Sequence, residues 1–267
     1  MALTIQNILT VNSINLFSGG AASTDADADA FISATGITDV TQKSAINTLV
    51  VDLKSYSLWT KMDAIYPMVG GTATTHKYNL KNPLGTAAAF TLLFSGGWTH
   101  SSTGALGNGA NSAADTFLDP YLLLDRDNTH LSYYSRTDVI ANQTEIGTDT
   151  LYILYRYGSN TYKAFNSSQT QRGSLFIPTT GMLIGSRINS TVEKYYHQGV
   201  LTDNLTVNSV AIPAASRTIT VGSNTPFAQF SSKECAFATI GEGLTDTEAN
   251  DFETVVQDFQ TTLSRNV

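Results

Sequence analysis

Thr150-Leu151-Tyr152-Ile153-Leu154-Tyr155-Arg156-Tyr157-Gly158-Ser159-Asn160-Thr161-Tyr162-Lys163-Ala164-Phe165 decides the fold. Leu151, Ile153 and Tyr155 alternate with Tyr152, Leu154 and Arg156, so each set faces one side of a strand. Gly158-Ser159-Asn160 supplies the positive-φ residues of a tight turn, and Tyr162 and Phe165 continue the pattern on a return strand. Aromatic and β-branched side chains suit a pleated, half-buried surface. A lone hairpin is marginal in water, so the stretch demands more sheet around it.

The rest of the chain offers that sheet. Further strand candidates lie at 76–80, 88–94, 121–124, 130–135, 181–186, 192–197, 205–211, 217–221 and 235–240. This density of short strands predicts a mainly β sandwich or barrel. One long loop is expected over 96–119, rich in Gly, Ser, Asn and Ala.

Two helices flank the strands. Ile46, Leu49, Val50 and Leu53 recur at helical spacing within 38–56, with Thr38 or Asp39 as cap and Gln42 where a capping box would place it. Residues 58–62 are expected to continue it until Pro67 and Gly70-Gly71. Its apolar face is expected to cover one edge or end of the sheet. The closing helix spans 246–263, with Thr245 and Glu248 as a capping box and Ala249, Phe252, Val255, Val256, Phe259 and Leu263 as its stripe. The expected organisation is an N-terminal arm and acidic linker at 1–30, a helical segment at 31–71, and the sandwich with its closing helix at 72–267.

Composition narrows the function. The chain has 267 residues, only 14% of them charged, and a net charge of −7 with no Lys/Arg cluster, which argues against a nucleic-acid binder. No apolar stretch is long enough to span a bilayer. The first basic residue is Lys43, so no secretory signal is expected. The single cysteine, Cys235, lies in an apolar run and reads as a buried structural thiol.

Catalytic signatures are missing. The glutamates Glu145, Glu193, Glu234, Glu242, Glu248 and Glu253 form no Glu-x-Asp-x-x-Glu triplet, and the four histidines have no metal-binding spacing. No enzymatic activity is therefore expected. Asp25, Asp27 and Asp29 open like a calcium loop, but Ala30 and Gly36 stand where Gly and Glu are needed, so a solvated acidic linker is the simpler reading. Asp125-Arg126-Asp127-Asn128 offers alternate oxygens for calcium, yet Asp and Asn are equally good turn residues. Trp98 and His100 sit in Ser95-Gly96-Gly97-Trp98-Thr99-His100-Ser101-Ser102. This reads either as a sugar-stacking platform or as a core tryptophan between turn glycines. The candidate glycan-binding residues are thus Trp98, His100, Asp125 and Asp127; no cofactor is required, and calcium is the one ion the acidic turns suggest.

Several segments together carry a resemblance. They are Trp59-Thr60-Lys61-Met62-Asp63-Ala64-Ile65-Tyr66-Pro67-Met68-Val69-Gly70-Gly71, His76-Lys77-Tyr78-Asn79-Leu80-Lys81-Asn82-Pro83 and Phe94-Ser95-Gly96-Gly97-Trp98-Thr99-His100. Ala114-Asp115-Thr116-Phe117-Leu118-Asp119-Pro120 and Phe237-Ala238-Thr239-Ile240-Gly241, leading into Leu244, Thr245 and Glu248, complete the set. In this order they resemble structural proteins of tailed bacteriophages, as in crAss-like and other Bacteroidetes phages. Those proteins carry a concanavalin A-like (laminin G-like) jelly-roll module, which implies that the fold is a mainly β, two-sheet antiparallel jelly-roll sandwich. The resemblance covers about residues 30–267. It implies a virion component made in the host cytoplasm: a head decoration, fibre or tail appendage, present in many copies beside other virion proteins. It also implies host-surface glycan binding at the loop edge or concave sheet, with a purely architectural decoration protein as the alternative and a glycan-degrading enzyme as the third reading.

Overall fold

The computed structural model describes residues 24–148, 150–156, 178–214, 217–224 and 229–267. In chain order the elements are α1 (Ala26–Thr35), α2 (Val40–Ser55), β1 (Met62–Tyr66), α3 (Ala73–His76), β2 (Leu93–Ser95), β3 (Trp98–Ser101), β4 (Gly104–Gly107) and β5 (Ala113–Asp115). Then come α4 (Pro120–Leu123), β6 (Thr129–Ser135), β7 (Ile146–Gly147), β8 (Tyr152–Ile153), β9 (Gly181–Arg187), β10 (Val192–His197) and β11 (Val200–Thr206). The chain ends with β12 (Thr220–Val221), β13 (Ser223–Asn224), β14 (Gln229–Phe230), β15 (Glu234–Gly241) and α5 (Asp246–Thr262).

The strands form the expected sandwich. The large antiparallel sheet runs β11-β10-β9-β6-β15-β4-β3, with β1 also pairing to β15. The facing sheet runs β2-β5-β12-β7-β8. Between them lie Leu131 and Tyr133 of β6, Leu183 of β9, Tyr195 of β10, and Ala114, Ile146 and Val221 of the smaller sheet. Leu151, Ile153 and Tyr155 join this core, as their alternation predicts. The first arm of the quoted hairpin pairs with β7 through Ile146 and Ile153; its turn and return arm lie outside the described residues.

The helices cover the middle of a face, over β1, β6, β9, β10 and β15, not an edge. Met62, Ile65, Tyr134, Met182, Ile184, Tyr196, Ala236 and Phe237 point away from the smaller sheet into a second core shared with α1, α2 and α5. A bulge in the β15–β6 pairing between Cys235 and Phe237 turns both Ala236 and Phe237 toward the helices, while Cys235 and Ala238 stay inside the sandwich. Arg265 ties this layer down by donating to the carbonyls of Met68, Pro67 and Ala236.

Several local expectations are corrected. The acidic stretch is no linker from Asp25 onward. Asp25 caps α1 by accepting the Asp27 N–H at 2.9 Å, and Lys54 of α2 pairs with Asp25 and Asp27, both at 2.6 Å. Asp39 caps α2, but Gln42 does not close the box: its Oε1 accepts the Gly70 N–H at 2.8 Å. Residues 62–66 leave the helical path and pair with β15. Residues 73–76 form a helical turn because Thr72 and Thr75 cap each other. Residues 120–123 form α4 instead of a strand, since Asp119 caps it and Pro120 occupies its first turn. The expected 96–119 loop contains β3, β4 and β5. The 205–211 candidate shifts to β11 at Val200–Thr206, and the 217–221 and 88–94 candidates shrink to Thr220–Val221 and Leu93–Ser95.

Candidate functional site

The sequence-predicted residues fall into two groups on different elements. Trp98 and His100 lie on β3, at the edge of the large sheet. Trp98 is half-buried and packs against the inter-sheet core. Its Nε1 donates to Ser95 O at 3.0 Å, and its ring meets Phe94 edge-on at 5.3 Å between centroids. The ring also covers Gly222, which joins β12 to β13; its positive φ of 77° and the ring above it favour glycine there. Trp98 thus closes the gap between the two sheets. His100 Nδ1 meets His76 Nδ1 at 2.9 Å, a pairing that sequence spacing does not reveal. Burial lowers the pKa of both rings, that of His76 to about 3, so both are neutral at pH 7 and one donates to the other. Among the described residues no group of three or more His, Cys, Asp or Glu could hold a metal ion.

Asp125 and Asp127 lie at one end of the large sheet, in the turn between α4 and β6. Asp125 Oδ1 accepts the Asp127 N–H at 2.8 Å, and Asp125 O accepts the Asn128 N–H at 3.1 Å. Asp127 accepts the Ser209 hydroxyl, which anchors the turn to the loop after β11. That loop is pinned in turn. Ser209 N–H donates to Ser190 O at 2.8 Å and Val207 N–H to Thr191 O at 2.9 Å.

Beneath the loop is a buried ion pair. Arg187 Nη2 meets Glu193 Oε2 at 2.8 Å with both side chains fully buried, while Nη1 donates to Val207 O at 2.9 Å. The Tyr195 hydroxyl donates to the other Glu193 oxygen at 2.8 Å. Each Glu193 oxygen thus accepts one bond, and charge-assisted bonds of this kind are directional. The pair fixes the 207–212 loop from below, and the loop fixes the Asp125 turn through Ser209.

The result is a groove of about 250 Å³ lined by Tyr121, Leu124, Asp125, Arg126, Ala211 and Ile212. Leu124 packs inward on the inter-sheet core and Ile212 is buried, so the floor is apolar. Tyr121 is 49% exposed at the rim, and Leu122 and Leu123 beside it are 72% and 50% exposed. Asp125 is exposed. The site therefore presents an aromatic ring, a carboxylate and a guanidinium around an apolar floor. Sequence reasoning found Asp125 but missed Tyr121 and Arg126. The Asp119-Pro120 start of a helical turn was the signal that would have placed Tyr121 on a rim.

Burial raises the carboxyl pKa of Asp52, Asp63, Glu145 and Glu253. They lie on α2, on β1, before β7 and on α5 respectively, and Glu145 is fully buried against Lys233.

Comparison with known proteins places this geometry in a class. No family profile matches the chain, and no curated protein matches it. Among solved structures, the chain resembles domain 4 of an extracellular arabinanase from Geobacillus stearothermophilus, solved with arabinotriose. The TM-score is 0.51 at 17% identity, over 72% of this chain and 98% of that one. It also resembles botulinum neurotoxin type C, from a study of its dependence on two ganglioside molecules for cell entry (TM-score 0.50, 12% identity, 76% of this chain and 53% of that one). A third neighbour is a sialidase of Trypanosoma rangeli, with TM-score 0.50 and 8% identity over 81% of this chain and 40% of that one. The chain thus spans a whole arabinanase domain but about half or less of the toxin and sialidase chains. These likenesses establish a jelly-roll sandwich, mainly β, with helices before and after it.

Proposed function

We propose that the chain is a non-enzymatic glycan-binding module of a bacteriophage virion, displayed in many copies on a head or tail appendage. The observation that carries the glycan reading is the loop-end groove, where Tyr121 stands half-exposed beside Asp125 and Arg126. A pyranose ring offers an apolar face of C–H groups to an aromatic side chain, and its hydroxyls pair with a carboxylate and a guanidinium. The pinned 207–212 loop supports the reading, because a prearranged groove loses little freedom on binding. The arabinotriose of one structural neighbour and the ganglioside dependence of another agree with it. The phage assignment rests on the resemblance of residues 59–71, 76–83, 94–100, 114–120 and 237–241, with Leu244, Thr245 and Glu248, to tailed-phage structural proteins. A single shallow groove binds weakly, and multiple copies on one particle raise the avidity by about 10²–10⁴.

Hydrolysis by a carboxyl pair needs two acids about 5–9 Å apart across one groove. Among its lining residues the loop-end groove holds a single carboxyl, Asp125, which favours a binding role there. The architectural reading draws on one observation: Tyr121, Leu122 and Leu123 expose consecutive apolar surface that a neighbouring virion protein could cover.

The test is a glycan array probed with multivalently displayed protein. Wild type is expected to bind a defined saccharide set, Tyr121→Ala to lose it at least ten-fold, and Asp125→Asn to weaken it. Trp98→Ala is expected to retain it once the fold is verified by circular dichroism. No binding by wild type overturns the glycan reading and leaves the architectural one.

A further inference from the structure

A second groove, of about 530 Å³, lies between α5 and the turn from β10 to β11. Its lining includes Gln198, Val200, Asn250, Glu253, Gln257 and Asp258. Glu253 is its unusual member. It is only 8% exposed, and its Oε2 has no hydrogen-bond partner. A buried polar atom left unsatisfied is costly, and the missing partner is a donor that no described residue supplies.

The surroundings specify that donor's chemistry. Among the described residues no Lys, Arg or His lines the groove, and Gly199, Thr254 and Val267 complete its lining. The ionisable groups that act with Glu253 are Tyr134 of β6 and Tyr155 after β8, and Asp258 shares the rim. His197, before Gln198, donates Nε2 to Thr180 O at 2.7 Å, and burial lowers its pKa. The rim is rich in neutral amides. Gln257 Oε1 accepts the Tyr134 hydroxyl at 3.2 Å, and that hydroxyl accepts the Val267 N–H at 3.1 Å. Gly199, with a φ of 74°, packs on the Glu253 side chain and the Asn250 amide, so the turn comes close to both.

We propose that this groove binds the primary ammonium of an amino sugar, with Glu253 as its counter-ion and the amides of Gln198, Asn250 and Gln257 as partners for its hydroxyls. The site is separate from the loop-end groove and does not depend on it. Burial raises the Glu253 carboxyl to about 7. In the free protein the carboxyl therefore holds its proton under acidic conditions, and an ammonium binds only after that proton leaves.

The experiment is a calorimetric titration of the full chain with glucosamine at pH 7 and pH 5, with N-acetylglucosamine as the neutral control. Wild type is expected to bind glucosamine at pH 7 and N-acetylglucosamine at least ten-fold more weakly. Ionised Glu253 falls from about half to about one part in a hundred between pH 7 and 5, so affinity is expected to drop roughly fifty-fold. Glu253→Gln, which keeps the side-chain shape, is expected to lose at least ten-fold at pH 7, and Asn250→Ala to lose less. Tyr121→Ala is expected to bind glucosamine as wild type does, whether or not the loop-end groove binds glycans. Equal binding of the neutral sugar, an unaffected Glu253→Gln, or affinity independent of pH would each overturn the proposal. So would no binding by wild type.

Discussion

Lys233→Met is the most informative single change to the sandwich core. Lys233 Nζ lies 2.9 Å from Glu145 Oε1, and neither side chain is exposed. Glu145 Oε2 accepts the Tyr155 N–H at 2.9 Å, and Gly222 N–H donates to Glu145 O at 2.7 Å. Glu145 therefore joins the segments around β7, β8 and β12. Burial raises its carboxyl pKa even against the favourable Lys233 charge. Removing the cation leaves a buried carboxylate with only neutral donors, which costs about 3–5 kcal/mol when one partner of a buried pair is deleted.

The pH dependence has a definite sign. In the variant the folded pKa of Glu145 lies further above the unfolded one, so the folded state holds more protons. Stability is then full below the unfolded carboxyl pKa and is lost as pH rises toward the folded value, by about 1.4 kcal/mol per pH unit. Glu145→Gln/Lys233→Met keeps an acceptor for the Tyr155 N–H without a charge. Its cost is expected to be near 1 kcal/mol and independent of pH. Urea unfolding at pH 5 and pH 8, followed by circular dichroism, measures all three proteins. A loss under about 1 kcal/mol for Lys233→Met at pH 8, with no pH dependence, would refute the reasoning.

Three other expectations follow from single sites. Burial pushes the Cys235 thiol up to about 12, so it is expected to resist a thiol reagent at pH 8 until the chain is unfolded; prompt native labelling would contradict its place in the core. Glu253, raised to about 7 from an unfolded value of 4.5, keeps its proton longer when folded. Stability is therefore lost as pH rises from about 4.5 to 7, and Glu253→Gln is expected to restore up to about 3 kcal/mol at pH 8 and little at pH 4, read by thermal melts. Gly222→Ala places a methyl against the Trp98 ring at a positive φ, and is expected to destabilise the fold and red-shift the tryptophan emission; an unchanged spectrum would mean that the ring does not seal the sheets there.

Legibility in the sequence followed burial pattern. β6, β9, β10 and β15 are long, buried strands, and their apolar runs stand out at 130–135, 181–186, 192–197 and 235–240. The closing helix was legible because Thr245 and Glu248 form the reciprocal box and the stripe is pronounced. β3, β4 and β5 were not, because three- and four-residue strands in a stretch rich in Gly, Ala, Ser and Thr are too short to show an alternation. α1 was hidden for a different reason. Acidic side chains that suggest a solvated linker are also what a helix N-terminus favours, and alternating alanines are strong helix formers. Of the site, Asp125 could be read as a turn residue, but its pairing with Tyr121 depends on α4 being helical. The Glu253 groove depends on long-range packing of α5 against the β10–β11 turn, which no local pattern encodes.

The most direct test of the loop-end site is amide hydrogen exchange with and without a saccharide identified on the array. Protection is expected over residues 119–128 and 207–214, the two segments joined by Asp127 and Ser209. Protection confined to residues 95–102 around Trp98, with 119–128 unchanged, would contradict the account and move the site to the sandwich edge.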